Sequence, residues 1–240
     1  SDLVVVCVLD HRASRALLES EDVIQDLSGK TIVDLTSATP EEMLAQQAHI
    51  RERGGRFIAG GILALPSGIG RQDTMILYAG DGPAFDEHRR TLTCFGGALA
   101  YLGPDPRAAF HAYSTLGLFV EASVALFLEA ATMARSYGIS IDVYYRLTRT
   151  AQDLIHGRIR DCTGRIVGSQ NDGEERSIDL RLRFTQALKA LFAQTGIPAR
   201  MTEGFMAHLK MASDCGHGSN DIAAIANALH NQSHVQGNRS

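Results

Sequence analysis

Short β-branched apolar runs alternate with amphipathic stretches over the first hundred residues, and this alternation predicts βα units around a mainly parallel sheet. Residues 3–9 and 31–35 form the first two strands, both too uniformly apolar for a sheet with one wet face. Between them, residues 12–27 carry helical periodicity, and Ser28-Gly29-Lys30 supplies a turn. Thr39-Pro40-Glu41-Glu42 has the chemistry of a helix start: a Thr cap, proline at the first helical position, then acids on the positive end of the dipole. That helix should run to Arg53 and stop at Gly54-Gly55. Strands at 56–59 and 74–79 flank a Gly/Pro-rich loop at 60–71, and a helix at 81–95 and a strand at 98–102 follow.

After Asp105 the pattern changes. Residues 106–137 run without a glycine or proline break except Gly117 and are apolar nearly all round, so the helix they form must be covered on most faces. The later stretches 141–161, 178–194, 202–215 and 219–231 read as helices, the polar stretch 163–176 as a surface loop, and the tail from Gln232 as frayed. The organisation is therefore a βα-rich part, residues 1–105, followed by an all-helical part, residues 106–240.

Composition narrows the function classes. With 45% hydrophobic and 21% charged residues and a net charge of −4, the chain resembles ordinary soluble globular proteins, and no basic stripe points to nucleic acid. The opening apolar run is too short for a membrane span and lacks the basic flank of a signal peptide, so no membrane association is expected. Cys7, Cys94, Cys162 and Cys215 are scattered without zinc-like spacing; no metal is expected, and a reducing cytoplasm fits.

Val4 to Asp10, Val33-Asp-Leu-Thr-Ser-Ala-Thr-Pro40, Gly60 to Gly70, Tyr101 to Pro106, Leu116-Gly-Leu118 and Gly216-His-Gly218 follow one another along nearly the whole chain. In order and spacing these phrases resemble the imine reductases and reductive aminases of the β-hydroxyacid dehydrogenase-like, NADPH-dependent oxidoreductases. The resemblance implies an α/β fold: a partial, N-terminally truncated Rossmann sheet, a long interdomain helix and an all-α dimerisation domain. It also implies an intertwined homodimer, NADPH as cofactor and a small imine or amine as substrate.

A Rossmann domain grips the cofactor pyrophosphate through a G-x-G-x-x-G turn that opens its first helix, and these 240 residues contain none. The likeness begins at what would be the fourth strand, so roughly 65 residues of opening βα units are expected to be missing, at about 30 per unit. A fragment, a naturally shortened protein and one half of a complex all account for this; the abrupt start of a buried strand after Ser1-Asp2 slightly favours the fragment. Such a sheet would expose the edge of its first remaining strand.

In the resembling family a proton donor sits on the long helix with a second polar residue two turns later, and alignment on Leu116-Gly-Leu118 places these at Ala112 and Val120, both inert. One register later lie Tyr113 and Glu121, on nearly one face of the helix, with His111 just before. These three are the candidate catalytic residues, the bland alternative being packing and pairing with a neighbouring subunit. The resemblance assigns the turn Thr36-Ser37-Ala38 to the nicotinamide ribose and substrate, with Ser37 the best candidate for a direct hydrogen bond, and Val8-Leu9-Asp10 should face the same ligand. Two functions stay open: NADPH-dependent reduction of C=N bonds, if the segment with the missing turn exists, or a shortened, non-redox homologue that binds, isomerises or cyclises a small amine, imine or enamine. A purely structural dimerisation module is the third reading.

Overall fold

The computed structural model describes residues 1–20, 27–168 and 176–237. Strands β1 (Leu3–Val6), β2 (Thr31–Asp34), β3 (Arg56–Leu63), β4 (Met75–Gly80) and β5 (Ala98–Tyr101) form one sheet in sequential order. Neighbours pair in parallel except β3 and β4. These two are joined by a short connection through a 3-10 turn at Pro66–Gly68 instead of a crossover helix, and so run antiparallel.

The expected loop at 60–71 is shorter than the sequence suggests. Strand β3 continues through Gly60 and Gly61 to Leu63, each residue from Ile58 onward opposite a partner on β4. Pairing along the whole ladder overrides the poor strand propensity of the two glycines.

Helices α1 (His11–Leu18) and α2 (Pro40–Glu52) follow β1 and β2, and α3 (Gly82–Leu92) follows β4. The expected continuation of α1 to Leu27 falls largely on 21–26, outside the described residues. Helix α2 starts as its sequence dictates, in a full capping box: Thr39 N–H donates to Glu42 Oε2 at 2.7 Å and Glu42 N–H to Thr39 Oγ1 at 3.3 Å. Alternation along the strands then builds two cores. Val6, Ile32 and Phe57 pack with Leu18, Met43 and Ile50 of α1 and α2, while Val33, Ile58 and Ile76 pack with Phe85 and Leu92 of α3. Strand β1 lies at one edge of the sheet, with Leu3, Val4 and Val5 only half-buried.

The predicted long helix is present as α4 (Arg107–Ser136), 30 residues without a break. Beyond it run α5 (Ile141–Gly168), α6 (Ile178–Ala193), α7 (Arg200–Ala212) and α8 (Ile225–Gly237). The expected loop at 163–176 is helical up to Gly168: Thr163 bonds the carbonyl of Ile159 and Arg165 pairs with Asp161 one turn back. Its remainder, 169–175, lies outside the described residues. The tail expected to fray from Gln232 is helical to Gly237, and 238–240 lie outside the described residues.

The chain divides into two compact units, Ser1–Glu121 and Ala122–Ser240. In the second, Ile178, Leu209, Ala212, Ala224 and Ala228 form the core. Ala199 cannot cap α7 with its side chain, and Glu129 does so instead, accepting from the N–H groups of Met201 and Thr202 at 2.8 and 3.1 Å. The Gly216-His-Gly218 phrase is a tight turn with Gly216 at φ 87°, and Gly218 leaves room for the Asp179 carboxylate. His217 pairs with Asn220 at 3.3 Å.

Helix α4 is long and apolar enough to cross a membrane, and only 11% of its most apolar window is buried by its own chain. Leu118 and Leu128 are 70% and 58% exposed. The cover that the sequence demands for this helix is not supplied by the described residues.

Candidate functional site

Of the residues singled out from sequence, Thr36, Ser37, Ala38 and Tyr113 meet at the carboxyl end of β2. Asp34 ends β2 fully buried, and its carboxylate accepts from Thr36 N–H at 2.8 Å, from Gln46 Nε2 at 2.8 Å and, in a very short bond, from the Ser14 hydroxyl. These bonds bend the chain at Leu35 and fix the turn Thr36-Ser37-Ala38. Thr36 Oγ1 in turn accepts from Val8 N–H at 3.2 Å, which ties the loop after β1 to the turn after β2. Thr36 and Ala38 are buried and Ser37 is exposed, so within the turn the free hydroxyl is that of Ser37.

This turn forms one side of a pocket of about 100 Å³, with Gly60, Gly61 and Ile62 of β3 and with Phe110 and Tyr113 of α4. Tyr113 also opens onto a second, larger groove of about 790 Å³, bounded by Leu63 to Leu65, Met75 and the stretch of α4 that ends at Glu121. Tyr113 thus stands at the junction of the two. It reaches that place because β3 has no side chain beneath it: a Cβ on Gly61 would lie 2.9 Å from Tyr113 Cβ. Gly61→Ala should therefore push α4 off the sheet and lower stability by about 1–3 kcal/mol, read as a lower urea midpoint; an unchanged midpoint would mean the helix is not held at this contact.

Tyr113 and Glu121 line the same groove, but they are separated by about 12 Å along the axis at 1.5 Å per residue, too far to share a proton directly. Glu121 is exposed in its own chain. His111 lines neither cavity; it is exposed on α4 beside the Phe110 ring, 6.0 Å between centroids. Leu9 is 93% exposed on the loop after β1. Asp10 spends its carboxylate capping α1, accepting from Ala13 N–H at 2.8 Å.

Comparison with known proteins places this geometry. Residues 1–103 match the family described as the NAD binding domain of 6-phosphogluconate dehydrogenase. Over 109 residues the chain is 32% identical to an NADPH-dependent reductive aminase from Aspergillus oryzae, a stretch that spans 45% of this chain and 36% of that protein. An imine reductase from a Pseudomonas species superposes with TM-score 0.88 at 29% identity, over 96% of this chain and 80% of that one. The chain is similar to imine reductases and reductive aminases. An imine reductase from Myxococcus stipitatus, solved in complex with NADP+, matches with TM-score 0.84 at 28% identity over 95% of this chain and 80% of that one. The resemblance expected from the sequence is thereby established, together with the Rossmann-like sheet and helical second part.

The described residues suit one end of a dinucleotide better than the other. The nicotinamide and its ribose need a flat apolar slot with a free hydroxyl at a strand end, which Ser37, Ala38, Gly60 and Gly61 offer. A pyrophosphate needs an open helix N-terminus. Helices α1 and α2, which begin near the carboxyl edge, are both closed by carboxylates of their own, Asp10 and Glu42, and would repel phosphate. Sequence reasoning missed Asp34, Gln46, Gly61, Ile62 and Phe110. Of these, Asp34 had a signal: a lone carboxylate inside an otherwise apolar strand is there to be hydrogen-bonded.

Proposed function

We propose that this chain is the scaffold of an NADPH-dependent reductase of C=N bonds acting on small imines or iminium species formed from amines. The reading is carried by Tyr113, at the junction between a slot floored by a strand-end turn and a groove large enough for a small substrate. Ser37 bonds the nicotinamide ribose, and Val8, Leu9 and Asp10 form the facing wall, with Asp10 acting through the shape of the α1 start. NADPH, when bound, supplies the hydride. Tyr113 positions the substrate nitrogen and delivers a proton near the slot, while Glu121, at the far end of the groove, attracts and orients the cationic form. His111 lies close to this path on the neighbouring face of α4 and is the weakest of the three candidates. The pyrophosphate is held by residues other than those described.

A second copy of the chain covers α4. Glu121 lies within the apolar stretch, and a carboxylate in mid-bilayer is expensive, whereas a subunit interface can solvate or pair it. Light scattering should return twice the chain mass; a monomer, or a requirement for detergent, overturns the homodimer. The protein works in the cytoplasm, where NADPH is maintained.

The activity is tested by following NADPH absorbance with a cyclic imine, using the protein together with whatever is encoded upstream of Ser1. Imine-dependent oxidation is expected. Closed α1 and α2 termini favour a second reading, a non-redox homologue that binds or rearranges an amine, imine or enamine. No NADPH binding by fluorescence titration, with retained imine binding, would select it.

A further inference from the structure

A groove of about 300 Å³ lies between α1 and α2, and it shares no lining residue with the two cavities at Tyr113. Three of its side chains each hold a buried polar atom without a hydrogen-bond partner: His11 Nδ1, Gln46 Oε1 and His49 Nε2. Buried polar atoms are seldom left unpaired, and three along one groove call for an occupant.

The polarity of each atom follows from what its side chain already does. Gln46 is 6% exposed, and its Nε2 donates to Asp34 and, at 3.2 Å, to Ser14. A carboxylate takes only donors, so the amide cannot flip, and Oε1 remains as an acceptor. Arg53 Nη1 lies 3.1 Å from His49 Nδ1. A guanidinium only donates, so Nδ1 accepts, and the neutral ring carries its proton on Nε2 as an unused donor. His11 Nδ1 serves either way. Along the rim stand Glu42 and the Arg15–Glu19 pair, the latter at 2.7 Å. The Thr39 N–H holds the Glu42 carboxyl below its usual range, and Arg15 does the same for Glu19. The lining therefore carries one guanidinium against two carboxylates.

These polarities sort the possible ligands. An anion meets the excess negative charge. A metal ion at His49 Nε2 would force the ring proton onto Nδ1, against the Arg53 donor, and no group of three or more metal-binding side chains is placed for one among the described residues. A molecule with an ammonium group and an oxygen acceptor satisfies all three atoms. We propose that the groove between α1 and α2 binds a small primary amine bearing a hydroxyl, the chemistry of an amino alcohol. Its ammonium donates to Gln46 Oε1 and His11 Nδ1, its oxygen accepts from His49 Nε2, and Glu42 and Glu19 supply the opposite charge. The site goes beyond the reductase reading and does not rest on it.

Titration of the isotopically labelled protein with ethanolamine tests this, with acetate and zinc chloride as the competing probes. Saturable amide shifts confined to α1 and α2 are expected with ethanolamine, and none with acetate. His49→Phe removes the donor and should weaken binding by about tenfold, the worth of one hydrogen bond to a buried partner. Gln46→Met should do the same, and because Gln46 also holds Asp34, His49→Phe decides if that variant fails to fold. No saturable shift with ethanolamine, an unchanged affinity in His49→Phe, or tighter binding of acetate or zinc would each overturn the proposal, the first leaving only water in the groove.

Discussion

Replacing Tyr113 by Phe in the reductase assay is expected to lower kcat by about 10² to 10⁴, the range for removing a positioned proton donor, with little change in KM. Only the hydroxyl is lost. The ring keeps its place over Gly61, so stability should hold and the effect should belong to the chemical step. Glu121→Gln is expected to behave differently, because Glu121 lies at the far end of the groove. Losing the negative charge weakens capture of an iminium cation, so KM should rise by at least about tenfold, equivalent to about 1.4 kcal/mol, while kcat falls less. The split between kcat and KM separates proton delivery from charge steering. Full turnover with unchanged KM in both variants would leave the two side chains as packing residues of α4.

The largest expected effect on stability is at Asp34, which no sequence motif singled out. Asp34→Ala removes the common acceptor of Ser14, Gln46 and the Thr36 N–H in a fully buried place. Stranding buried donors costs about 1–3 kcal/mol each, and even with partial rescue, since Gln46 can still reach Ser14, a loss of about 3 kcal/mol or more is expected. Urea denaturation measures it. A second consequence is local: with the Thr36 N–H released, the turn that presents Ser37 loses its anchor. Asp34→Asn keeps one carbonyl oxygen for Thr36 but turns an amide N–H toward Ser14 and Gln46, and so should fall between the two. A shift below about 0.5 kcal/mol, the level of ordinary surface substitutions, would show that the network contributes nothing.

The site depends on both pieces of structure meeting. Asp34 shapes the turn from below, Gly61 lets α4 approach from above, and Tyr113 lies where the two arrangements converge. Val8 N–H on Thr36 Oγ1 extends the same scaffold to the loop after β1. The candidate site is therefore framed by secondary-structure ends, fixed by the buried hydrogen bonds of Asp34 and the part-buried one from Val8.

The sequence by itself determined the strands and helices that local physics dictates. Uniformly apolar runs gave strands, fully buried in β2 but half-buried in the edge strand β1, Thr39-Pro40-Glu41-Glu42 gave a capped helix start, and the unbroken apolar stretch after Asp105 gave a 30-residue helix. It also carried enough phrases to show the likeness to imine reductases and reductive aminases that the comparisons found. Tertiary structure alone decided the antiparallel turn of β3 into β4, because strand direction depends on how the connection folds back and not on any residue within the strand. Gly60 and Gly61 read locally as loop, yet they form strand because β4 pairs with them, and Tyr113 needs the space that the missing side chain of Gly61 leaves. The buried network that brings Ser14 and Gln46 onto the Asp34 carboxylate was likewise settled by contacts between residues far apart in the chain. Sequence patterns report the energy of neighbours along the backbone, whereas these features are set by partners that only folding brings within hydrogen-bonding range.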